Sequence, residues 1–144
     1  MSIWQKTNPA TAFDTQHAGT LPELLGIRIV EVGADFVRAE MAVDARHIQP
    51  AGILHGGTSV VLAETIGSIC GVMAVPEGQT CVGVEVNANH LAPVRVGDTV
   101  TALCRPLQVG RRLQVWQIEL RRGDGTLTCV ARLTTAVRSV RPAA

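Results

Sequence analysis

Between His55 and Glu77 the chain carries one charged side chain, Glu64, in a run of Val, Leu, Ile, Ala and Gly. The stretch "HGGTSVVLAETIGSICGVMAVP" therefore predicts one long apolar helix, with Leu62, Ile66, Ile69 and Met73 as its core face. A membrane span is disfavoured, because Glu64 sits in mid-run and ordinary alternating strands flank the segment. Burying an unpaired carboxylate costs on the order of several kcal/mol. Glu64 must therefore be paired, hydrogen-bonded, protonated or put to use.

On both sides of the helix the period becomes two. "FVRAEMAV" sets Val37, Ala39, Met41 and Val43 on one face, and it pairs with "GIRIVEV" through the turn Gly33-Ala34-Asp35. After the helix, "VGVEVNANHL" alternates, with Val82, Val84, Val86 and Ala88 on one face and Gly83, Glu85, Asn87 and Asn89 on the other. Three further strands follow in "DTVTALCRPLQV", "RLQVWQIELRR" and "TLTCVARLTTAV", the last two joined by the hairpin signal Gly-Asp-Gly. The expected layout is α+β: two strands, the helix, then a four-stranded antiparallel meander, all wrapped around the helix. A length of 144 residues suits a single domain over 1–144, with a weakly patterned extension at 1–20, a helical turn at "LPELLG" and a tail at 138–144.

Composition narrows the function. A formal charge of +1 supplies no basic field for nucleic acid or anionic lipid, and two Trp, two Phe and no Tyr give no stacking platform. Only 17% of residues are charged, which fits surface covered by another subunit or a compact monomer with a thinly charged surface. Cys70, Cys81, Cys104 and Cys129 lack C-x-x-C spacing and sit in apolar or alternating runs, so they read as buried free thiols of a reducing, cytoplasmic setting. No signal peptide is read at the start. The histidines 17, 47, 55 and 90 have no ligand spacing, so no metal site is expected. Ser59 lacks the nucleophile-elbow pattern, and no phosphate-binding or dinucleotide loop is present.

The chemistry concentrates at the helix. Gly56 and Gly57 permit close approach at its start, where Thr58 or Ser59 would cap and the first amides are free to bind negative charge. Two turns on, Glu64 is flanked at helical spacing by Gly57, Val60, Val61, Gly67, Ser68 and Gly71, a face lined largely by small residues. A carboxylate downstream of free amides suits acyl transfer. A Glu held only by Ser68 or by a group across an interface fits the same residues. Arg111 and Arg112, at a turn after Gly110, either hold a phosphate or are simply solvated.

These blocks resemble a known family. "QPAGILHGG", "LHGGTSVVLAETIGS", "VGVEVNANH", "GRRLQVWQIEL" and "RLTTAV", in that order from about residue 22 to 137, are similar to the hotdog-fold acyl-CoA thioesterases. The branch is that of the Arthrobacter-type 4-hydroxybenzoyl-CoA thioesterases, near the dihydroxynaphthoyl-CoA and enterobactin-proofreading thioesterases. The resemblance implies Glu64 as nucleophile or general base and Gly56 as oxyanion donor. It makes Gln49 and His55 the groups that orient thioester and water, and Ser68 a positioning hydroxyl. CoA would be held by His90, Gly83, Val109, Gly110, Arg111 and Arg112, with Arg138 or Arg141 of the tail in reach. The chain departs from the pattern after His90, where it reads "LAPVRVGD" and its next basic residue is Arg95. The resemblance further implies no cofactor, a small aromatic acyl-CoA substrate, and sites shared between protomers of a dimer or dimer of dimers. Alternatives are a medium-chain acyl-CoA or acyl-carrier-protein thioesterase, a hydratase using His55 with Glu64, and a non-catalytic acyl-CoA binder.

Overall fold

In a computed structural model, residues 1–6, 13 and 16–140 are described; Arg141 and the end of the tail lie outside them. The elements are α1 (Leu21–Leu24), β1 (Arg28–Val32), β2 (Val37–Ala42), α2 (Gly56–Met73), β3 (Gln79–His90), β4 (Thr99–Val109), β5 (Leu113–Arg121) and β6 (Leu127–Ser139). One antiparallel six-stranded sheet, in the order β1-β2-β4-β5-β6-β3, packs one face on α2. The α+β expectation holds.

The alternation of β2 does its predicted work: Val37, Ala39 and Met41 are fully buried, as are Trp116, Ile118 and Leu120 of β5 and Leu133 of β6. Against them lie Leu62, Ile66 and Met73 of α2, as their spacing required, joined by Cys70, while Ile69 of the expected face is buried to 8% exposure and also borders the outer depression. The helix is long and apolar enough to cross a membrane, but half of that window is buried inside the fold, where it forms the central layer. The hairpin β1–β2 closes by Gly33 N–H donating to the Phe36 carbonyl at 2.8 Å. The β5–β6 turn closes on Gly125, whose φ of +84° favours glycine.

Two expectations need correction. The strands after the helix are not a four-stranded meander: β4, β5 and β6 are consecutive neighbours, but β3 lies at the far edge beside β6. Alternation reports which face a strand buries, not its neighbour. Nor does β3 keep one phase. Its register with β6 shifts between Gly83 and Glu85, so Cys81 and Gly83 above the bulge and Val86 and Ala88 below it all turn toward the core or helix. Val82 and Val84 are left outside, 46% and 54% exposed.

Candidate active site

The loop before α2 is tied from several sides. Gly52, at φ +76°, donates to the Gln49 carbonyl at 2.8 Å, and the Gln49 side-chain oxygen accepts from Ala51 N–H at 2.6 Å. Leu54 N–H donates to the Val94 carbonyl and His55 N–H to the His47 carbonyl, both at 2.8 Å. His47 itself is fully buried; its Nδ1 accepts from Asp44 N–H at 3.0 Å, so Nε2 donates to the Leu25 carbonyl at 2.9 Å. This buried histidine thus pins the loop from below.

Neither Thr58 nor Ser59 caps the helix. The cap is His55, whose Nδ1 accepts from Gly57 N–H at 2.8 Å, while Ser59 is buried one turn in. Thr58 and Ser59 N–H both donate to the His55 carbonyl. Among the described residues this leaves Gly56 N–H without a protein acceptor, a free amide at the positive end of an 18-residue helix. A Cβ on Gly56 would come within 2.7 Å of His90 Nε2. The group that closely approaches Gly56 is therefore a side chain, His90, and not the backbone or ligand expected from the glycine pair. Gln49, Gly56 and His90 line one depression of about 510 Å³ together with Ile53, Ala92 and Pro93.

Glu64 is not buried in this chain. It is exposed on the outer side of α2, one of the lining residues of a second depression of about 550 Å³. Val61, Thr65, Ser68, Ile69 and Val72 complete the helical wall, and Gln16, His17, Leu21 and Pro22 form the other. Its Oε1 lies 3.1 Å from where a Gly83 Cβ would stand, so a glycine in β3 makes room for the carboxylate. The small-residue face divides in two. Gly67 and Gly71 do not open onto the site; they are buried against the sheet, where added Cβ atoms would meet Leu133 Cδ2 at 2.6 Å and Cys81 Sγ at 2.5 Å.

The chain brings the predicted residues together in three groups, not one. Gly56 and Glu64 are eight residues apart on α2, about 12 Å along its axis. That is too far for both to act on one carbonyl. Val109, Gly110 and Arg111 line a third depression of about 280 Å³ with Gln79, at the end of β3 opposite His90. Eleven residue steps of strand separate those ends, roughly 35 Å. Arg112 is exposed at the same turn, its carbonyl accepting from Val137 N–H at 2.8 Å. All four cysteines are free and buried, and burial pushes the thiols of Cys70, Cys81 and Cys129 up. Of the residues that form the other wall of the Glu64 depression, the sequence marks His17 only as lacking metal-ligand spacing and Leu21 and Pro22 only as part of a helical turn; nothing in it assigns them or Gln16 to the site.

The family model described as "Thioesterase superfamily" matches residues 51–129. The chain is 45% identical over 135 residues to the 1,4-dihydroxy-2-naphthoyl-CoA hydrolase of Escherichia coli, covering 94% of this chain and 98% of that protein. It is 42% identical over 135 residues to the proofreading thioesterase EntH of Cronobacter turicensis, with the same coverage. A crystal structure of a Haemophilus influenzae thioesterase superposes with a TM-score of 0.93 at 46% identity, covering 97% of each chain. With one antiparallel sheet packed on one apolar helix, and a carboxylate on that helix's open side, the chain belongs to the thioesterase superfamily of hotdog-fold proteins and is a thioester hydrolase.

Proposed function

We propose that the protein hydrolyses a small aromatic acyl-CoA, of hydroxybenzoyl or dihydroxynaphthoyl type, at sites shared between two protomers. The observation that carries this reading is the position of Glu64: the helix's one carboxylate, accessible in a partly apolar depression, about 12 Å along the axis from the free Gly56 amide. Two copies arranged so that α2 of one faces the loop 49–56 of the other would unite the two halves. The 12-residue edge strand β3, with Val82 and Val84 exposed, supplies a surface on which a second copy pairs. The name of the Escherichia coli relative, a 1,4-dihydroxy-2-naphthoyl-CoA hydrolase, supports an aromatic acyl group.

In this reading the thioester carbonyl accepts from Gly56 N–H, held in place by the His55 cap. Glu64 attacks the carbonyl carbon or takes a proton from an attacking water, and the tetrahedral oxyanion rests on the helical amide. Collapse expels the CoA thiolate, which takes up a proton. Where water is the attacking group the acid is released at once; where Glu64 attacks, a water then hydrolyses the acyl–Glu64 anhydride to the acid and the free carboxylate. Gln49 and Ser68 orient thioester and water; His90 and the Val109–Arg112 turn hold CoA, the latter contributed from another subunit. Four unpaired thiols suit a cytoplasmic enzyme.

The test is thiol release from benzoyl-, hydroxynaphthoyl- and C4–C12 acyl-CoAs by the wild type and by Glu64→Gln. Aryl thioesters should be preferred, and the variant should lose about 10²–10⁴ in kcat while remaining folded. Near-normal turnover by the variant removes Glu64 from the mechanism. A preference for aliphatic chains assigns the alternative substrate class, and absence of thiol release from CoA esters points to a carrier-protein substrate or a binder.

A further inference from the structure

The wall facing Glu64 is built from the chain ahead of β1, and it contains one polar group fixed in place. His17 is half-buried. Its ring stacks on Phe13, itself 2% exposed, with centroids 4.1 Å apart and planes 27° from parallel. Its Nδ1 lies 2.9 Å from the Phe13 carbonyl oxygen. A carbonyl only accepts, so Nδ1 carries the proton and the neutral ring keeps its lone pair on Nε2. The stack and the hydrogen bond together fix the ring and leave Nε2 as its acceptor, on a residue that lines the depression beside Leu21, Pro22 and the exposed Gln16.

We infer that His17 Nε2 accepts a hydrogen bond from a ring hydroxyl of the acyl group, and so selects hydroxyaryl over unsubstituted aryl thioesters. This rests on the reading that the Glu64 depression holds the acyl moiety. An aryl group whose carbonyl sits beside Glu64 has Val61, Ile69 and Val72 on the helical wall to pack against and His17 on the other. A phenolic hydroxyl buried there needs an acceptor, and Nε2 meets that need. An ester without the hydroxyl leaves Nε2 desolvated and unpaired, which is how a polar group in an apolar pocket discriminates.

The experiment compares kcat/KM for benzoyl-CoA with 3- and 4-hydroxybenzoyl-CoA in the wild type, His17→Phe and His17→Gln. One neutral hydrogen bond corresponds to about tenfold. The wild type should therefore favour at least one hydroxylated ester by about that factor, mostly in KM. His17→Phe keeps the stack but should lose the preference, and His17→Gln, whose amide oxygen accepts, should recover part of it. A wild type indifferent to the hydroxyl, or a preference that survives in His17→Phe, overturns the inference. Nitrogen NMR of the wild type with added 4-hydroxybenzoate or benzoate gives a readout independent of turnover and of whether the variants fold. The His17 Nε2 resonance should shift with the hydroxylated acid only; the same response to both acids, or none, refutes the role. Absence of thiol release from every aryl ester would instead count against the proposed activity, leaving the NMR comparison to decide on His17.

Discussion

Gly71→Ala sets helix propensity against packing, and the structure says packing wins. Alanine in mid-helix is worth about 1 kcal/mol over glycine. The new methyl, however, would stand 2.5 Å from Cys81 Sγ, 2.9 Å from Gln114 Oε1 and 3.3 Å from Thr135 Oγ1. None of these has free space to retreat into: Gln114 and Thr135 are fully buried and Cys81 is 8% exposed. Gln114 is also a hub. Its oxygen accepts from Trp116 Nε1 at 3.3 Å and from Thr135 Oγ1 at 3.0 Å, and its amide donates to the Gly71 carbonyl at 3.4 Å. Overpacking costs about 1–3 kcal/mol and a loosened buried polar group a similar amount. Net destabilisation should be about 2–3 kcal/mol, a fall in Tm of roughly 7–10 °C for a chain of this size. Thermal melts at fixed protein concentration, followed by tryptophan fluorescence, measure it, since Trp116 reports directly on the network. Adding Cys81→Ala removes the nearest atom and should return about 1 kcal/mol of the loss. If Gly71→Ala melts at or above the wild-type temperature, the close packing of α2 on β3 is wrong and propensity alone governs the site.

Two other outcomes follow from local features. At the β5–β6 turn, hydrogen bonds from the Arg122 guanidinium, and then from Thr126, hold the Asp124 carboxyl well below the usual carboxylate range. Its small stabilising contribution is present above about pH 4 and is lost as pH falls through the lowered folded value. A carboxyl NMR titration should therefore find Asp124 ionised well below a free aspartate, and Arg122→Leu should raise its midpoint; an unchanged midpoint refutes the pairing. On the sheet edge, Val84→Arg puts a charge on a 54%-exposed apolar position of β3. Sedimentation should show weaker self-association with secondary structure retained, whereas unchanged association places the subunit contact elsewhere.

The elements were legible where chemistry and periodicity agree. Val37, Ala39 and Met41 alternate because one face of β2 is buried, and Leu62, Ile66 and Met73 recur because one side of α2 is. Glu64 stood out as the only charge between His55 and Glu77. What escaped was everything set by tertiary neighbours. The placement of β3 beside β6 leaves no mark on either strand's alternation, and a one-residue bulge near Gly83 reversed the face assignment of Val82 and Val84. The cap fell to His55 in place of the expected Thr58 or Ser59 because its Nδ1 reaches Gly57 N–H. Glycines 67 and 71 looked like an open ligand face, but a missing Cβ serves helix-on-sheet contact equally well. His17 had no pattern around it; only folding brings residues 16–22 over the helix.

The two rims of the sheet are unequal, and this bears on how the molecule grows. β1 offers five residues, a register irregularity after Ile29, and the Glu31–Arg38 ion pair at 2.9 Å, so its outer rim is a poor template for another strand. β3 offers twelve residues. Antiparallel addition of a second chain through β3 about a two-fold axis consumes the inviting rim of both copies at once. What remains at either end of the enlarged sheet is the blunt β1 rim. Growth by that route would be self-terminating: pairing through β3 would add one partner and stop, leaving no route to an indefinite fibre through the sheet.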